Sequence, residues 1–253
     1  DIEEFTIYNG EDERLKQRIY VGKNSKITIS HLNNITDEEE QERQISTTIS
    51  GLLIERTISR IARAVLLELE INEEKYLFAC VHLPSKKNLD EISQLQTSHN
   101  YKRYILERAA LYNHKVIITG DFNMNPFDAG MVEPMGFFAL NNSDFVRNQR
   151  TFQHSTEMMF YNPCWWLLGD YHALTKNQKV SGTHFYKDSP SKKLYWHLFD
   201  QVIISENMIQ QFKHNELEII EPEELLNELI VKKTVRKSAT YSDHLPLKFT
   251  LKL

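Results

Sequence analysis

Short apolar runs that end abruptly on polar residues are the dominant pattern of this sequence. β-Branched and aromatic residues make each run a candidate strand, and the clearest runs cover 64–71, 76–81, 116–119 and 198–204. A polar turn at 72–75 joins the first two runs and predicts an antiparallel hairpin. Apolar residues recur at helical spacing within 89–113, so strand, helix and strand follow one another and indicate an α/β fold.

The run at 116–119 ends on the sequence GDFNMNPFD, which contains the first candidate site. Asp121 and Asn123 are two residues apart, so an extended backbone would place both side chains on one face. A carboxylate beside a carboxamide suits a hard cation together with its phosphate or water ligands. Because Asn125, Pro126 and Asp128 are ordinary turn formers, a plain strand followed by a turn is the alternative interpretation.

Three further polar groups lie at the ends of candidate strands. His82 follows the run at 76–81, and Asp200 stands near the start of the run at 198–204. An aspartate in an apolar run needs a partner because an unpaired buried carboxylate is costly, and a histidine is a natural one. Asp243 and His244 are neighbours and cannot form a nucleophilic triad with Ser242, because adjacent side chains diverge. We therefore expect Asp200 to orient His244, and Asp243 to join the GDFN group at a metal.

Composition places the chain among ordinary globular proteins. Its 253 residues are 41% hydrophobic and 26% charged, which excludes a disordered or fibrous chain, and we expect one domain over residues 1–253. The formal charge of −5 argues against broad, sequence-independent electrostatic binding of nucleic acid. Two cysteines suggest neither a disulfide framework nor a cysteine metal site. No apolar run is long enough to cross a bilayer, and we expect a cytoplasmic protein without integral membrane contact.

Aromatic residues are concentrated between positions 136 and 197. Such residues can stack on nucleic-acid bases, but most Trp and Phe side chains in folded proteins belong to the core. We therefore expect most of this set to serve packing.

The four polar strand ends together resemble the serial motifs of the endonuclease/exonuclease/phosphatase superfamily, the group with the fold of deoxyribonuclease I. The similar segments are VHLPSK, GDFNMNPFD, LFDQVII and YSDHLP, in the order found in that family. The resemblance implies a four-layer αββα sandwich of two mixed β-sheets with an active site at one edge. It also implies Mg²⁺ or Mn²⁺ and in-line attack of water on a phosphate ester.

The same resemblance implies roles for three of the predicted site residues. His244 would be the general base or would stabilise the transition state, and Asp200 would hold it. Asp121 would orient or deprotonate the attacking water. Histidine suits its role because its pKa lies near neutrality, and a carboxylate behind it fixes its tautomer.

Roles for the other three residues follow from the resemblance in the same way. Asn123 would bind the scissile phosphate, and Asp243 would lie at or near the metal together with Asp121. His82 matches a second histidine of the family, which helps to bind the phosphate and protonates the leaving oxygen.

The family pattern begins with an Asn and a metal-binding Glu that are not evident in this chain. Asn9 and Glu55 resemble them superficially, but Glu55 lies only 27 residues before His82, which is too close for the intervening strands. We expect the first strands of the fold to lie upstream of Asp1. Without that Glu, the chain would lack one of the metal ligands that the resemblance implies.

The expected function is Mg²⁺-dependent or Mn²⁺-dependent hydrolysis of phosphodiesters, with nucleic acid as the substrate. Lys86, Lys87 and the basic residues in 232–237 favour a polyanion. An inositol phosphate or a sphingolipid headgroup is an alternative substrate, and a catalytically silent module that keeps the fold is an alternative function. A nucleotide hydrolase with a Walker motif is disfavoured because no G-x-x-x-x-G-K-[ST] sequence is present.

Overall fold

A computed structural model describes residues 2–8, 16–22, 43–49, 52–61, 64–71, 74–85, 89–110, 115–147, 150–152, 155–169, 180–186, 195–221 and 244–253. The helices in these segments are α1 (Glu91–Ala109), α2 (Ala129–Val132) and α3 (Ser143–Arg147). The strands are β1 (Ile2–Tyr8), β2 (Lys16–Gly22), β3 (Arg43–Ile49), β4 (Leu52–Ile61), β5 (Ala64–Ile71), β6 (Glu74–His82), β7 (Val116–Asp121), β8 (Ala139–Leu140), β9 (Arg150–Phe152), β10 (Ser155–Glu157), β11 (Phe160–Tyr161), β12 (His184–Tyr186), β13 (Tyr195–His197), β14 (Asp200–Ser205), β15 (Glu218–Ile219) and β16 (Leu247–Lys248).

A mixed eight-stranded sheet organises the fold, in the order β3-β4-β5-β6-β7-β14-β11-β8. The predicted hairpin is β5 and β6, which pair antiparallel. Strands β6 and β7 are parallel, and α1 connects them as the sequence pattern predicts. Strand β14 pairs antiparallel with β7, so the two longest apolar runs of the second half of the chain lie side by side.

Alternate residues of the central strands enter two separate cores. Ile118 of β7 and Ile203 of β14 belong to the core that contains Ile105 of α1. Their neighbours Ile117 and Val202 belong to the opposite core, which also contains residues of β15 and the segment after His244. The period-two alternation therefore buries both faces of the sheet. Helices cover one face and a second set of strands covers the other, which confirms the predicted α/β sandwich.

Helix α1 begins at Glu91, two residues after the start of the predicted range, and its buried stripe is less apolar than the spacing suggested. Asp90 caps it, because Oδ1 of Asp90 accepts a hydrogen bond of 2.7 Å from the backbone N–H of Ser93. The buried residues of the stripe are Gln94, Ser98, Lys102, Ile105 and Ala109. Ile92, one of the apolar residues behind the prediction, is 77% exposed. Polar groups replace apolar ones here because this stripe contacts backbone and polar atoms of the loop after β7.

The last described segments of the chain form short elements. Strand β16 is followed by an isolated bridge between Leu251 and Phe212. Short 3-10 helices cover Glu206–Met208 and His214–Glu216. No helix in the described residues is long and apolar enough to span a membrane. Whether residues 1–253 form one domain stays a prediction.

Candidate active site

Three of the predicted site residues stand in one row across adjacent strand ends. His82 ends β6, Asp121 ends β7 and Asp200 begins β14. In the sheet register His82 is the partner of Asp121, and Asp121 is the partner of Asp200. Neighbouring strands are about 4.8 Å apart, so the three backbones lie within about 10 Å of one another. The topology thus brings together residues that the sequence marked only as separate strand ends.

Gly120 allows β7 to approach β6 closely at this row. Its φ is +129°, and a Cβ atom added there would lie 2.1 Å from the carbonyl oxygen of Val81. An L side chain would therefore clash with backbone and adopt a disfavoured conformation. Hydrogen bonds from Leu83 N to Asp121 O (2.8 Å) and from Phe122 N to Phe199 O (2.9 Å) then fix the strand end on both sides.

Asn123 holds the carboxylate of Asp121 with two hydrogen bonds. The backbone N–H of Asn123 donates to Oδ1 of Asp121 at 2.7 Å, and its side-chain Nδ2 donates to Oδ2 at 2.9 Å. The expectation of an extended backbone here is wrong, because β7 ends at Asp121 and Asn123 has a left-handed φ of 53°. The two side chains meet through this turn rather than through the pleat of a strand.

The second amide hydrogen of Asn123 is also engaged. Its Nδ2 donates to the carbonyl oxygen of Leu83 at 2.8 Å, and the side chain is buried. Two acceptors face Nδ2, so the amide orientation is determined, since a rotated amide would place its oxygen against both of them. On the described geometry the Asn123 amide orients Asp121. Its predicted role as a phosphate ligand stays a prediction.

Helix α1 supports the same loop from the helical side of the sheet. Nε2 of Gln94 donates to the carbonyl oxygen of Asn123 at 3.3 Å. Ser98 Oγ donates to the sulfur of Met124 at 3.7 Å. These contacts explain why the buried stripe of α1 is polar, and they position the loop against a regular element.

His82 lies beside Asp121 on its other flank. Nε2 of His82 is 3.6 Å from Oδ2 of Asp121, and the His82 side chain is 38% exposed. This is an ion-pair distance if the ring is protonated, and the exposure leaves the ring accessible to a substrate. The structure therefore brings His82 to the same carboxylate that Asn123 orients.

Asp200 and His244 form the predicted pair. Nδ1 of His244 is 2.7 Å from Oδ2 of Asp200. Burial alone would raise the pKa of the Asp200 carboxyl, but the charge of the His244 ring and its hydrogen bond lower that pKa below its ordinary value of 3.8, with smaller contributions from Thr183 and His184. Asp200 is therefore a carboxylate at neutral pH, as the pairing requires.

Thr183 ties the two partners of this pair together, and sequence reasoning missed it. Its Oγ1 accepts a hydrogen bond from the backbone N–H of Asp200 at 3.1 Å. Its carbonyl oxygen accepts one from Leu245 N at 2.7 Å, and its own N–H donates to His197 O at 2.8 Å. Thr183 is fully buried. A single threonine before β12 carries no spacing signal, so only the tertiary structure reveals this contact.

A ring cluster lies against the His244 side of the pair. His184 forms an isolated bridge with His244, and their ring centroids are 4.5 Å apart. Phe199 stacks on His184 at 5.7 Å and on His197 at 5.0 Å. His184 and His197 are both buried within this cluster, and no motif or spacing in the sequence marks either of them.

Asp243 lies outside the described residues, as do Asn9, Lys86, Lys87 and the basic residues in 232–237. Glu55 is in β4, where its backbone is the register partner of Ser46. The predictions that involve these residues stay predictions.

The described part of the site does not by itself fit a divalent cation. Within the described segments, no group of three or more His, Cys, Asp or Glu side chains could hold a metal ion. Of the two predicted metal ligands, Asp121 and Asp243, the described segments include Asp121. Both carboxylate oxygens of Asp121 accept hydrogen bonds from Asn123. A metal centre here would need further oxygen ligands.

Comparison with known proteins finds similar solved structures. No protein-family model and no curated protein sequence matches the chain. The solved structures include truncated TDP2 from Caenorhabditis elegans, with 16% identity, a TM-score of 0.38 and coverage of 84% of this chain and 65% of that chain. TDP2 from D. rerio, in complex with a single strand DNA product, has 15% identity, a TM-score of 0.47 and coverage of 100% and 77%.

An endonuclease/exonuclease/phosphatase family protein from Bacteroides thetaiotaomicron has 13% identity, a TM-score of 0.42 and coverage of 99% of this chain and 73% of that chain. This chain spans less than two thirds of the length of the C. elegans protein.

Proposed function

We propose that the chain is a phosphoesterase of the endonuclease/exonuclease/phosphatase superfamily that hydrolyses phosphodiester bonds in nucleic acid by in-line attack of water. The observation that carries this proposal is the row of strand ends, in which the 2.7 Å pair of Asp200 and His244 stands next to Asp121. Such a reaction needs a carboxylate that can orient water. It also needs a histidine whose orientation is fixed by a second carboxylate.

In this proposal Asp121 orients the attacking water and takes its proton. Asn123 donates to both carboxylate oxygens, which fixes the direction in which the remaining lone pairs of Asp121 point. Because the Asp121 carboxylate is already oriented, less entropy is lost when it positions a water molecule for in-line attack on the phosphorus atom.

His244 acts on the phosphate side of the reaction. Asp200 accepts the hydrogen on Nδ1 of His244, which leaves Nε2 to face the reacting groups. A carboxylate behind the ring stabilises the protonated imidazole, so that it can balance negative charge as it develops on the phosphate oxygens. His82, partly exposed beside Asp121, donates to the leaving oxygen.

A divalent cation is part of the proposal through the superfamily resemblance. Mg²⁺ or Mn²⁺ would neutralise phosphate oxygens when bound. Asp121 and Asp243 are the predicted ligands, and the described residues supply only the first of them.

A catalytically silent binding module is the second candidate function. Its basis is that the family's metal-binding Glu is not evident in the sequence. Such a module would keep the strand-end row and bind a phosphate-containing ligand without hydrolysing it.

A panel of substrates separates these candidates. Single-stranded and duplex DNA, RNA, inositol phosphates and sphingomyelin are incubated with the chain in Mg²⁺, in Mn²⁺ and in EDTA. We expect hydrolysis of nucleic acid that requires the metal and that Asp121→Ala and His244→Ala remove. Asp144→Ala, on the exposed surface of α3, is the control and should retain full activity.

A folded chain that hydrolyses none of these esters would support the silent module. Preferential hydrolysis of an inositol phosphate or sphingomyelin would replace the proposed substrate class. Full activity in the Asp121→Ala and His244→Ala variants would show that this site is wrong.

A further inference from the structure

The side chain of Thr183 is in contact with Asp200 at two of its groups. Oγ1 of Thr183 accepts a hydrogen bond of 3.1 Å from the backbone N–H of Asp200, and a hydroxyl that accepts in this way keeps its own hydrogen for donation. Burial raises the pKa of the Asp200 carboxyl, whereas the His244 ring and then a hydrogen bond from the Thr183 side chain lower it. The Thr183 hydroxyl therefore meets both the backbone and the carboxyl group of Asp200.

The backbone of the same threonine holds the chain beside His244. The carbonyl oxygen of Thr183 accepts a hydrogen bond of 2.7 Å from the N–H of Leu245, which directly follows His244 and is buried. His184, the next residue after Thr183, forms an isolated bridge with His244. One short segment thus supports the backbone from which the His244 ring projects and the carboxylate that this ring contacts.

Gly182 allows this segment to lie against the residues before β14. The N–H of Thr183 donates to the carbonyl oxygen of His197 at 2.8 Å. A Cβ atom added at Gly182 would lie 2.5 Å from that same oxygen, so a larger residue would push the two segments apart. Thr183 is therefore held in place by backbone contacts that do not involve its hydroxyl.

The Asp200 carboxylate needs such a donor because of its neighbour in the sheet. Asp200 is the register partner of Asp121, and like charges on directly opposite residues repel each other. The carboxylate can rotate about its Cα–Cβ bond, but only one orientation brings Oδ2 to 2.7 Å from Nδ1 of His244. A buried hydroxyl on the same side favours that orientation over the alternatives.

We propose that Thr183 is a positioning residue of the candidate active site, and that its hydroxyl fixes the Asp200 carboxylate in the orientation that holds His244. This inference rests on the proposed function, because it assigns a further residue to the same reaction. Thr183 is fully buried, so it acts through Asp200 and does not touch the substrate.

Substitution of Thr183 by residues of similar size tests the role of the hydroxyl. Thr183→Val keeps the shape of the side chain but removes the hydroxyl, and we expect kcat to fall about tenfold with KM unchanged. Thr183→Ser keeps the hydroxyl and should retain most of the kcat of the parent. Thr97→Val is the control, because it removes a threonine hydroxyl that donates to Ser93 O at 2.7 Å within α1, and it should leave kcat unchanged.

Urea denaturation separates this role from a general loss of stability. Thr183→Val and Thr183→Ser each remove one buried group, so both should unfold at a lower urea concentration than the parent. Only the valine variant should lose kcat.

A double-mutant cycle tests whether Thr183 acts through Asp200. In the Asp200→Ala background, Thr183→Val should cause no further fall in kcat, because no carboxylate remains to be oriented. Independent structural effects of the two substitutions would instead multiply.

The hydrogen bond between Asp200 and His244 can also be observed without any hydrolysis. In protein labelled with ¹⁵N-histidine, the proton on Nδ1 of His244 is assigned by its absence from the spectrum of His244→Gln. We expect Thr183→Val to shift this resonance at neutral pH, since its hydrogen bond to Asp200 weakens. Thr183→Ser and Thr97→Val should leave it in place.

The inference is overturned if Thr183→Val keeps both the kcat and the Nδ1 resonance of the parent. It is also overturned if Thr183→Ser folds but loses as much kcat as Thr183→Val, or if the effects in the double-mutant cycle multiply. A shifted resonance in Thr183→Val, together with a parent protein that hydrolyses none of the esters, would support the positioning role and contradict the proposed function.

Discussion

Two aspartates face each other across β7 and β14, and the structure holds them in different ways. Asp121 is fixed by Asn123, two residues away in the chain. Asp200 is fixed by Thr183, 17 residues away, and by His244, 44 residues away. Like charges directly opposite in a sheet repel, so each carboxylate needs its own donors.

The difference in donors separates the two carboxylates chemically. The Asn123 donors orient Asp121, and the His82 ring lies 3.6 Å from its Oδ2. Asp200 faces the His244 ring at the shorter distance of 2.7 Å, and its lowered pKa reflects that partner. Asp121 is thus arranged to act on a small ligand such as water, and Asp200 is arranged to act on the His244 side chain.

Four substitutions test this difference between the two aspartates, from the largest expected effect to the smallest.

Asp121→Ala should give the largest loss. We expect kcat to fall by about 10³–10⁴-fold, because the group that orients and deprotonates water is removed. Steady-state kinetics on the best substrate of the panel measures it. Asp144→Ala is the matched control, and a loss below about tenfold for Asp121→Ala would mean that this carboxylate does not act on the water.

Asp200→Asn should lower kcat by about 10²–10³-fold with little change in KM, because His244 loses its orienting carboxylate but keeps a neighbour of the same shape. An equal loss in kcat for Asp121→Asn and Asp200→Asn, with the same pH profile, would contradict the division of roles.

The same variant tests the electrostatics. Because the folded-state pKa of Asp200 lies below its ordinary value of 3.8, its contribution to stability is fully present above that value and is lost as pH falls through the lowered pKa. The difference in unfolding free energy between parent and Asp200→Asn should therefore be larger at neutral pH than below pH 3.8. Urea denaturation at both pH values measures it, and a difference that grows on acidification would contradict the ion pair.

Gly120→Ala tests whether close approach of β6 and β7 builds the row. The added Cβ would lie 2.1 Å from Val81 O, and we expect a loss of about 3 kcal/mol in unfolding free energy. Gly169→Ala is the matched control, because Gly169 also has a positive φ (+77°) but, among the described residues, no atom within 4 Å of the added Cβ. It should cost about 1 kcal/mol. Equal costs would mean that backbone conformation alone, and not the contact with Val81, matters at Gly120.

Asn123→Gly should have the smallest effect of the four. Glycine accepts the positive φ of this position, so the variant isolates the loss of the two side-chain hydrogen bonds to Asp121 and Leu83. We expect kcat to fall by about 10–100-fold, since Asp121 remains present but loses the side-chain donor of Asn123. A fall as large as that of Asp121→Ala would indicate that Asn123 contacts the substrate itself.

The sequence predicts the strands and the strand-end residues because both leave strong local patterns. β-Branched runs mark β7 and β14, and each polar end of such a run is visible as a break in hydrophobicity. His82, Asp121 and Asp200 could therefore be chosen before their register was known. The pairing of β14 beside β7 could not be predicted, since antiparallel neighbours can be distant in sequence.

The parts that the sequence did not predict depend on long-range contacts or on backbone geometry. Thr183 and His184 act through atoms of segments that follow much later in the chain. The left-handed turn at Asn123 is a conformation that asparagine tolerates, but nothing in GDFN requires it. The polar stripe of α1 was missed because Gln94 and Ser98 bury polar atoms against the loop rather than apolar atoms in a core.

The distance in sequence between Asp200 and His244 also has a consequence for folding. Their hydrogen bond closes a segment of 44 residues, and the contact of Thr119 with Gln201 closes one of 82 residues. Contacts of such separation form after local helices and hairpins, because the entropy of closing a long loop opposes them. We therefore expect the hairpin of β5 and β6 to form before the pair of Asp200 and His244. A refolding chain should then regain activity after most of its secondary structure, and stopped-flow circular dichroism beside an activity assay of the refolding chain measures the two times.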